Sequence, residues 1–215
     1  MTRTVPLRCR CGALRGQAAG ISPTAGKRAV CYCDDCQIYA LHLGRPDVLD
    51  DRGGTDACML TPAQVTITQG ADQVRCIRLS PKGLYRWYAG CCNTPLGNTM
   101  GPRLPVLILV HSWMDHAADG RSREQDVGPV KNRIMARFAK GGVPAGAHEK
   151  MSPAMIPGVV AHLVRGFLAG SAQPSPFFDA AGLPRTQPAL MDKHERESLR
   201  ARVLAAAGLP SATTA

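Results

Sequence analysis

Short apolar runs alternate with turn signals through the first half of this chain. Val65-Thr-Ile-Thr68, Val74-Arg-Cys-Ile-Arg-Leu79 and Leu84-Tyr-Arg-Trp-Tyr88 mix apolar and polar positions at close to every second residue, and Val106–Val110 is apolar throughout. The two-residue period predicts strands with one buried face, and the unbroken run predicts a fully buried strand. Gln69-Gly-Ala-Asp72 and Ser80-Pro-Lys-Gly83 separate these runs as turns. Residues 1–111 therefore read as a β-rich domain. It contains one short helix over residues 34–43, begun by Asp34 or Asp35, whose charge suits a helix N-terminus.

Beyond Val110 the pattern changes. His111–Gly128 reads as a polar connection, and Pro129–Lys140 has helical spacing with Pro at its start and Gly141-Gly142 after its end. A second helix is predicted over Pro153–Leu168, kinked or delayed by Pro157 and Gly158. Phe177-Phe178 is placed as an anchor after a Pro/Ser turn. A third, charged helix is predicted over Lys193–Ala206, ended by Gly208-Leu-Pro210 and followed by about five disordered residues. The organisation expected is a β domain over 1–111, a connection with a helix over 112–150, and a helical extension over 151–215.

The 215 residues are 45% hydrophobic and 20% charged, the balance of a soluble globular protein. Aromatics are only 5%, so aliphatic side chains must fill most of the core. Pro105–Val110 is far too short to span a bilayer, and no secretory signal precedes the first cysteines. These features point to a cytoplasmic protein without a membrane partner, where thiols stay reduced. The formal charge is +10, and Arg3, Arg8, Arg10, Arg15, Lys27 and Arg28 stand in the first thirty residues with no acid among them. That patch suits an anionic partner or is a solvated basic face. No basic tract with interleaved aromatics supports nucleic-acid binding.

Seven of the nine cysteines change the picture. They form three clusters: Cys9-Arg-Cys11-Gly12, Cys31-Tyr-Cys33-Asp-Asp-Cys36 and Cys91-Cys92. Two thiols separated by one residue lie on one side of an extended chain and converge on an ion more readily than they oxidise to each other. Cys9 and Cys11 with Cys91 and Cys92 make a closed, structural zinc site. Neighbouring cysteines on a strand point apart, so Cys91 joins only if the chain turns sharply, which Gly90 and Asn93 permit. Otherwise one of the pair is a buried thiol and another group completes the site. Cys31, Cys33 and Cys36 form a second zinc site with one coordination position open to water or to a substrate thiol. Asp34, Asp35 and His42 are the neighbours that would close it. Cys58 and Cys76 read as isolated buried thiols. Trp87 and Tyr88 are expected beside the first centre or along a ligand groove.

The three motifs, in this order, resemble those of the glutathione-dependent formaldehyde-activating (GFA) family, which shares its domain with centromere protein V. The matching residues are Cys9-Arg-Cys11-Gly12, Cys31-Tyr-Cys33-Asp-Asp-Cys36 and Arg86-Trp-Tyr-Ala-Gly-Cys-Cys-Asn-Thr-Pro95, and the likeness covers about residues 5–111. This chain departs from the pattern in having Ala89 where the family has the first cysteine of CxxC, Cys91 two residues later, and Asn93 in place of glycine. The resemblance implies a mainly β zinc-binding fold of β-tent form, a structural zinc at the outer clusters, and a labile zinc at Cys31, Cys33 and Cys36. That second zinc would handle glutathione in a carbon-sulfur lyase reaction.

Two functions follow as expectations. One is a zinc-dependent carbon-sulfur lyase acting on glutathione or another small thiol adduct. The alternative is a non-catalytic zinc module that binds a protein or nucleic-acid partner. Redox or metal sensing by the middle thiols ranks below both.

Overall fold

The computed structural model describes residues 1–25 and 27–210, so the predicted disordered tail lies outside the described residues. The protein is mainly β. Strands β1 (Arg3–Arg8), β2 (Arg15–Ile21) and β5 (Val65–Gln69) form a three-stranded antiparallel sheet. The larger sheet runs in the order β10 (Asn132–Ile134), β3 (Arg28–Cys31), β4 (Thr55–Leu60), β9 (Leu107–Val110), β8 (Thr94–Thr99), β7 (Tyr85–Ala89), β6 (Val74–Arg78) and β11 (Ala189–Leu190). The strands expected near residues 65–68, 74–79, 84–88 and 106–110 all form.

Side-chain alternation along β7 divides the molecule. Trp87 is fully buried and stacks on Phe177, with ring centroids 4.7 Å apart, while Phe178 meets it edge-on at 5.4 Å. Arg86 and Tyr88 point to the other face, toward helix α1 (Asp34–His42). Trp87 thus sits in the core cluster that also holds Cys9 and packs against Cys92, and the Phe177-Phe178 anchor is seated against it. The core joins both sheets: Val5, Leu7 and Ile21 meet Leu60, Val65, Leu96, Leu109 and Trp113.

The predicted helix over 129–140 does not form. Residues 132–134 instead pair with β3 in parallel, Asn132 with Ala29 and Ile134 with Cys31, and Met135 then turns with φ 57°. The open edge of β3 supplies hydrogen bonds that outweigh a modest helical propensity. A short helix, α2 (Arg123–Val127), stands earlier in that connection, capped by Ser122 and Gln125. Helix α3 (Ile156–Leu168) follows a single 3-10 turn at Pro153–Met155. Pro157 falls in its first turn, where no intrahelical N–H is lost. Helix α4 (Lys193–Ala206) has the predicted bounds and packs along α1 through Leu199 and Val203. No helix among the described residues is long and apolar enough to cross a membrane.

Several N-terminal arginines are spent inside the protein. Arg28 holds Asp56 at 2.7 Å, with Arg123 also at 2.7 Å from Asp56, and Arg3 and Arg121 hold the buried Asp126 at 3.0 and 2.8 Å. Burial pushes both carboxyls up, but Arg28 and Arg123 at Asp56, and His116, Arg121 and Arg3 at Asp126, outweigh it and leave both below the usual range. A depressed folded pKa contributes stability above the unfolded value of about 4, which is lost as pH falls through the folded value. Thermal unfolding followed from pH 6 downward should show a falling melting temperature below about pH 4. Asp56→Asn should flatten that dependence.

Helix α3 turns its apolar side chains outward: Ile156, Val160, Val164, Phe167 and Leu168 are all at least half exposed. Only His162 and Gly166 are buried, against Pro105. Val164→Ser or Phe167→Gln should therefore change unfolding free energy by less than about 0.5 kcal/mol. Trp87→Ala should cost about 3–5 kcal/mol, and urea titration of the variants reads each of these changes.

Candidate metal centres

The first cluster is built by two turns. After β1 the chain reverses at Cys9–Gly12, with Gly12 at φ 79°, and the Leu14 N–H donates to Cys9 Sγ at 3.3 Å. Between β7 and β8 a second turn carries Cys91 and Cys92, and Asn93 closes it at φ 54°. Asparagine tolerates that left-handed conformation better than most residues with a side chain. Its side chain also donates to the Leu43 carbonyl at 3.1 Å. The sharp turn that Gly90 and Asn93 permitted is thus present, and it brings Cys91 in.

Cys9, Cys11, Cys91 and Cys92 place their sulfurs within 4.8 Å of one another. Cys9 lies 3.6 Å from Cys11 and 3.8 Å from Cys91, while Cys11 lies 3.3 Å and Cys92 3.8 Å from Cys91. Four thiolates about 2.3 Å from a tetrahedral ion stand about 3.8 Å apart, so the donor set fits such an ion. Burial pushes the Cys9 thiol up. Burial also opposes ionisation of Cys92, but hydrogen bonds from Thr94 and the Cys11 backbone outweigh it and bring Cys92 down to about 6. A cleft of about 370 Å³ opens beside this cluster, lined by Arg8, Arg10, Arg45 and His111. Arg8 is paired with Asp115 at 2.6 Å and Arg45 with Asp47 at 2.8 Å, so its positive charge is largely offset.

The second cluster wraps a helix start. Cys31 ends β3, Cys33 caps α1, and Cys36 sits in its first turn, donating its backbone N–H to Cys33 Sγ at 3.4 Å. The three sulfurs also lie within 4.8 Å of one another, and among the described residues no histidine, aspartate or glutamate joins them. The positive end of the α1 dipole favours thiolate here. Hydrogen bonds from Cys31 and Cys33, with the Arg86 charge close by, hold Cys36 well below the ordinary thiol range despite its burial. Cys31 and Cys36 push Cys33 well up. The trio can therefore hold a metal ion as the first cluster can.

The neighbours that could close the second site are engaged elsewhere. His42 is bonded to Glu195 at 2.6 Å. Asp34 pairs with Arg200 at 3.1 Å, and Asp35 lies 3.7 Å from both Arg196 and Arg86. Helix α4 thus offsets the acidity beside the trio. Arg86, which stands in the third motif but takes no role from the sequence alone, is only 2% exposed, lies over the Tyr39 ring, and places Nη1 4.0 Å from Cys36 Sγ. Its charge favours the ionised form of Cys36. Cys58 and Cys76 are buried apart from both clusters, and burial raises them to about 11 and about 12.

Replacing Arg86 by Met should lower metal affinity at the trio about 10- to 100-fold, the usual cost of removing a group that supports metal ligands. The first cluster should stay loaded. Competition with a coloured chelator reads both sites.

A family model described as a family of unknown function, DUF6151, matches residues 1–187. No curated protein matches the chain. A crystal structure of a Rhodobacter sphaeroides protein is similar over 58% of this chain and 96% of that one, with 13% identity and a TM-score of 0.40. That likeness is too loose to carry a fold or an activity across.

Proposed function

The chain belongs to DUF6151, a family of unknown function, and we propose that it is a two-zinc protein with one structural and one ligand-exchanging centre. The single observation that carries this reading is the contrast between the clusters. Four sulfurs converge in the first, but only three in the second, with Asp34, Asp35 and His42 drawn away by Arg200, Arg196 and Glu195. A zinc ion at the trio supplies an electrophilic position that binds a small thiol as its thiolate. Cys31, Cys33 and Cys36 would hold that ion, the α1 N-terminus would favour their ionised forms, and Arg86 would offset their charge from within the protein.

The motif order resembles that of the GFA family, which supports glutathione or another small thiol adduct as substrate and carbon-sulfur bond cleavage as the reaction. A β-tent fold for residues 1–111 and a cytoplasmic location belong to the same reading. The exposed apolar stripe of α3 supports a second reading, a non-catalytic zinc module that binds a protein partner. Pairing of Arg3, Arg8 and Arg28 within the protein weakens the case for a nucleic-acid partner.

Metal analysis followed by glutathione titration of the cobalt-substituted protein separates these readings. The enzyme reading expects two metals per chain, one after Cys36→Ser, and a saturable change in the thiolate-to-cobalt absorption. A second metal that does not respond to any small thiol would overturn it and leave the module.

A further inference from the structure

Helix α3 is amphipathic in reverse. Ile156, Val160, Val164, Phe167 and Leu168 recur at helical spacing on its outer side, and all are at least half exposed. His162 and Gly166 lie opposite and are the residues it buries. His162 Nε2 is 3.1 Å from the Pro105 carbonyl, and a side chain at Gly166 would collide with the Pro105 ring. The helix is thus seated along one narrow line and turns its most apolar side outward. A surface helix of a globular protein does the opposite. An exposed apolar stripe of this kind marks an interaction site.

Charge says what covers it. From Pro129 to Phe178 the chain carries six Lys and Arg and one acid, Glu149. At 100° per residue, Arg165 lies on the flank of α3, between the apolar side and the buried line. Lys27 stands close enough to Arg165 for the two charges to repel. Among the described residues no carboxylate pairs with Lys27, Lys150 or Arg165. The occupant must therefore bring apolar surface and negative charge together. A second copy of this chain brings the same cations to the rim, and two chains of charge +10 repel. A strip about 20 Å long and about 10 Å wide also falls short of the ~800 Å² per partner of a stable dimer. An anionic bilayer supplies both requirements and needs no matching shape. Its acyl chains take the apolar side chains, and its headgroups take the cations.

We propose that α3 is an interfacial anchor that lies in the plane of an anionic membrane, with Ile156, Val160, Val164 and Phe167 among the acyl chains and Arg165 and Lys27 at the headgroups. The expectation of a protein without a membrane partner rests on the lack of a spanning segment, which an interfacial helix does not need. At 13 residues α3 is too short to span. The anchor stands whether or not the cysteine trio exchanges ligands.

The test is co-sedimentation of the full, zinc-loaded chain with vesicles at physiological salt. Binding is expected to vesicles of phosphatidylglycerol and phosphatidylcholine in equal parts, and not to phosphatidylcholine alone. Val164→Ser combined with Phe167→Gln should weaken binding at least about tenfold, because the acyl contact is lost. Both side chains are exposed, so the variant still folds. Arg165→Gln should weaken binding about fivefold, whereas Lys193→Gln, at an exposed cation on α4, should change it less than about twofold. Phe167→Trp supplies a reporter, since Trp87 and Trp113 are fully buried, and its emission should shift to the blue on the vesicles.

Binding that the Val164 and Phe167 substitutions leave unchanged, or an emission that does not shift, would show adsorption by net charge and overturn the anchor. Absence of binding to the anionic vesicles would overturn it too. So would a dimer in light scattering that the same two substitutions dissolve, since a second copy would then cover the stripe.

Discussion

A guanidinium buried as deeply as that of Arg86 is expensive to remove from water unless negative charge lies close by. Here that charge comes from Cys36 and Asp35, both in the first turn of α1. Cys36 gains from the same contact, because the Arg86 charge favours its ionised form. Arg86 faces α1 because strand alternation sends its neighbour Trp87 the other way, onto Phe177. One five-residue strand therefore supplies both the aromatic centre of the core and the cation of the second cluster.

The same pairing explains the position of α4. Asp34 and Asp35 would otherwise leave a surplus of negative charge at the trio. Arg200 and Arg196 offset it, while Glu195 holds His42 at the far end of α1. Leu199 and Val203 supply the apolar contact that fixes this alignment. The helix lies beyond the residues that the family model matches, yet it sets the electrostatics of a site within them. The β7–β8 hairpin links the two clusters directly. Its turn presents Cys91 and Cys92 to Cys9 and Cys11, and its first strand places Arg86 beside Cys36.

What the amino-acid sequence determined by itself was local. Ligand spacing identified both cysteine groups, because CxC and CxxC place thiols together whatever surrounds them. Asp34 and Asp35 marked the start of α1, the charged run marked α4, and Gly90 with Asn93 marked the turn that admits Cys91. Each of these signals is decided within a few residues. The tertiary structure alone decided the rest. Residues 129–140 carry helical spacing, but the open edge of β3 drew 132–134 into the sheet. Arg86 stood in the third motif, but its place beside Cys36, 50 positions away, did not show there, and Arg196 and Arg200 had no sequence signature because their partners Asp35 and Asp34 lie more than 150 positions away. Charge compensation and cross-strand pairing act through space, and only the folded chain sets those distances.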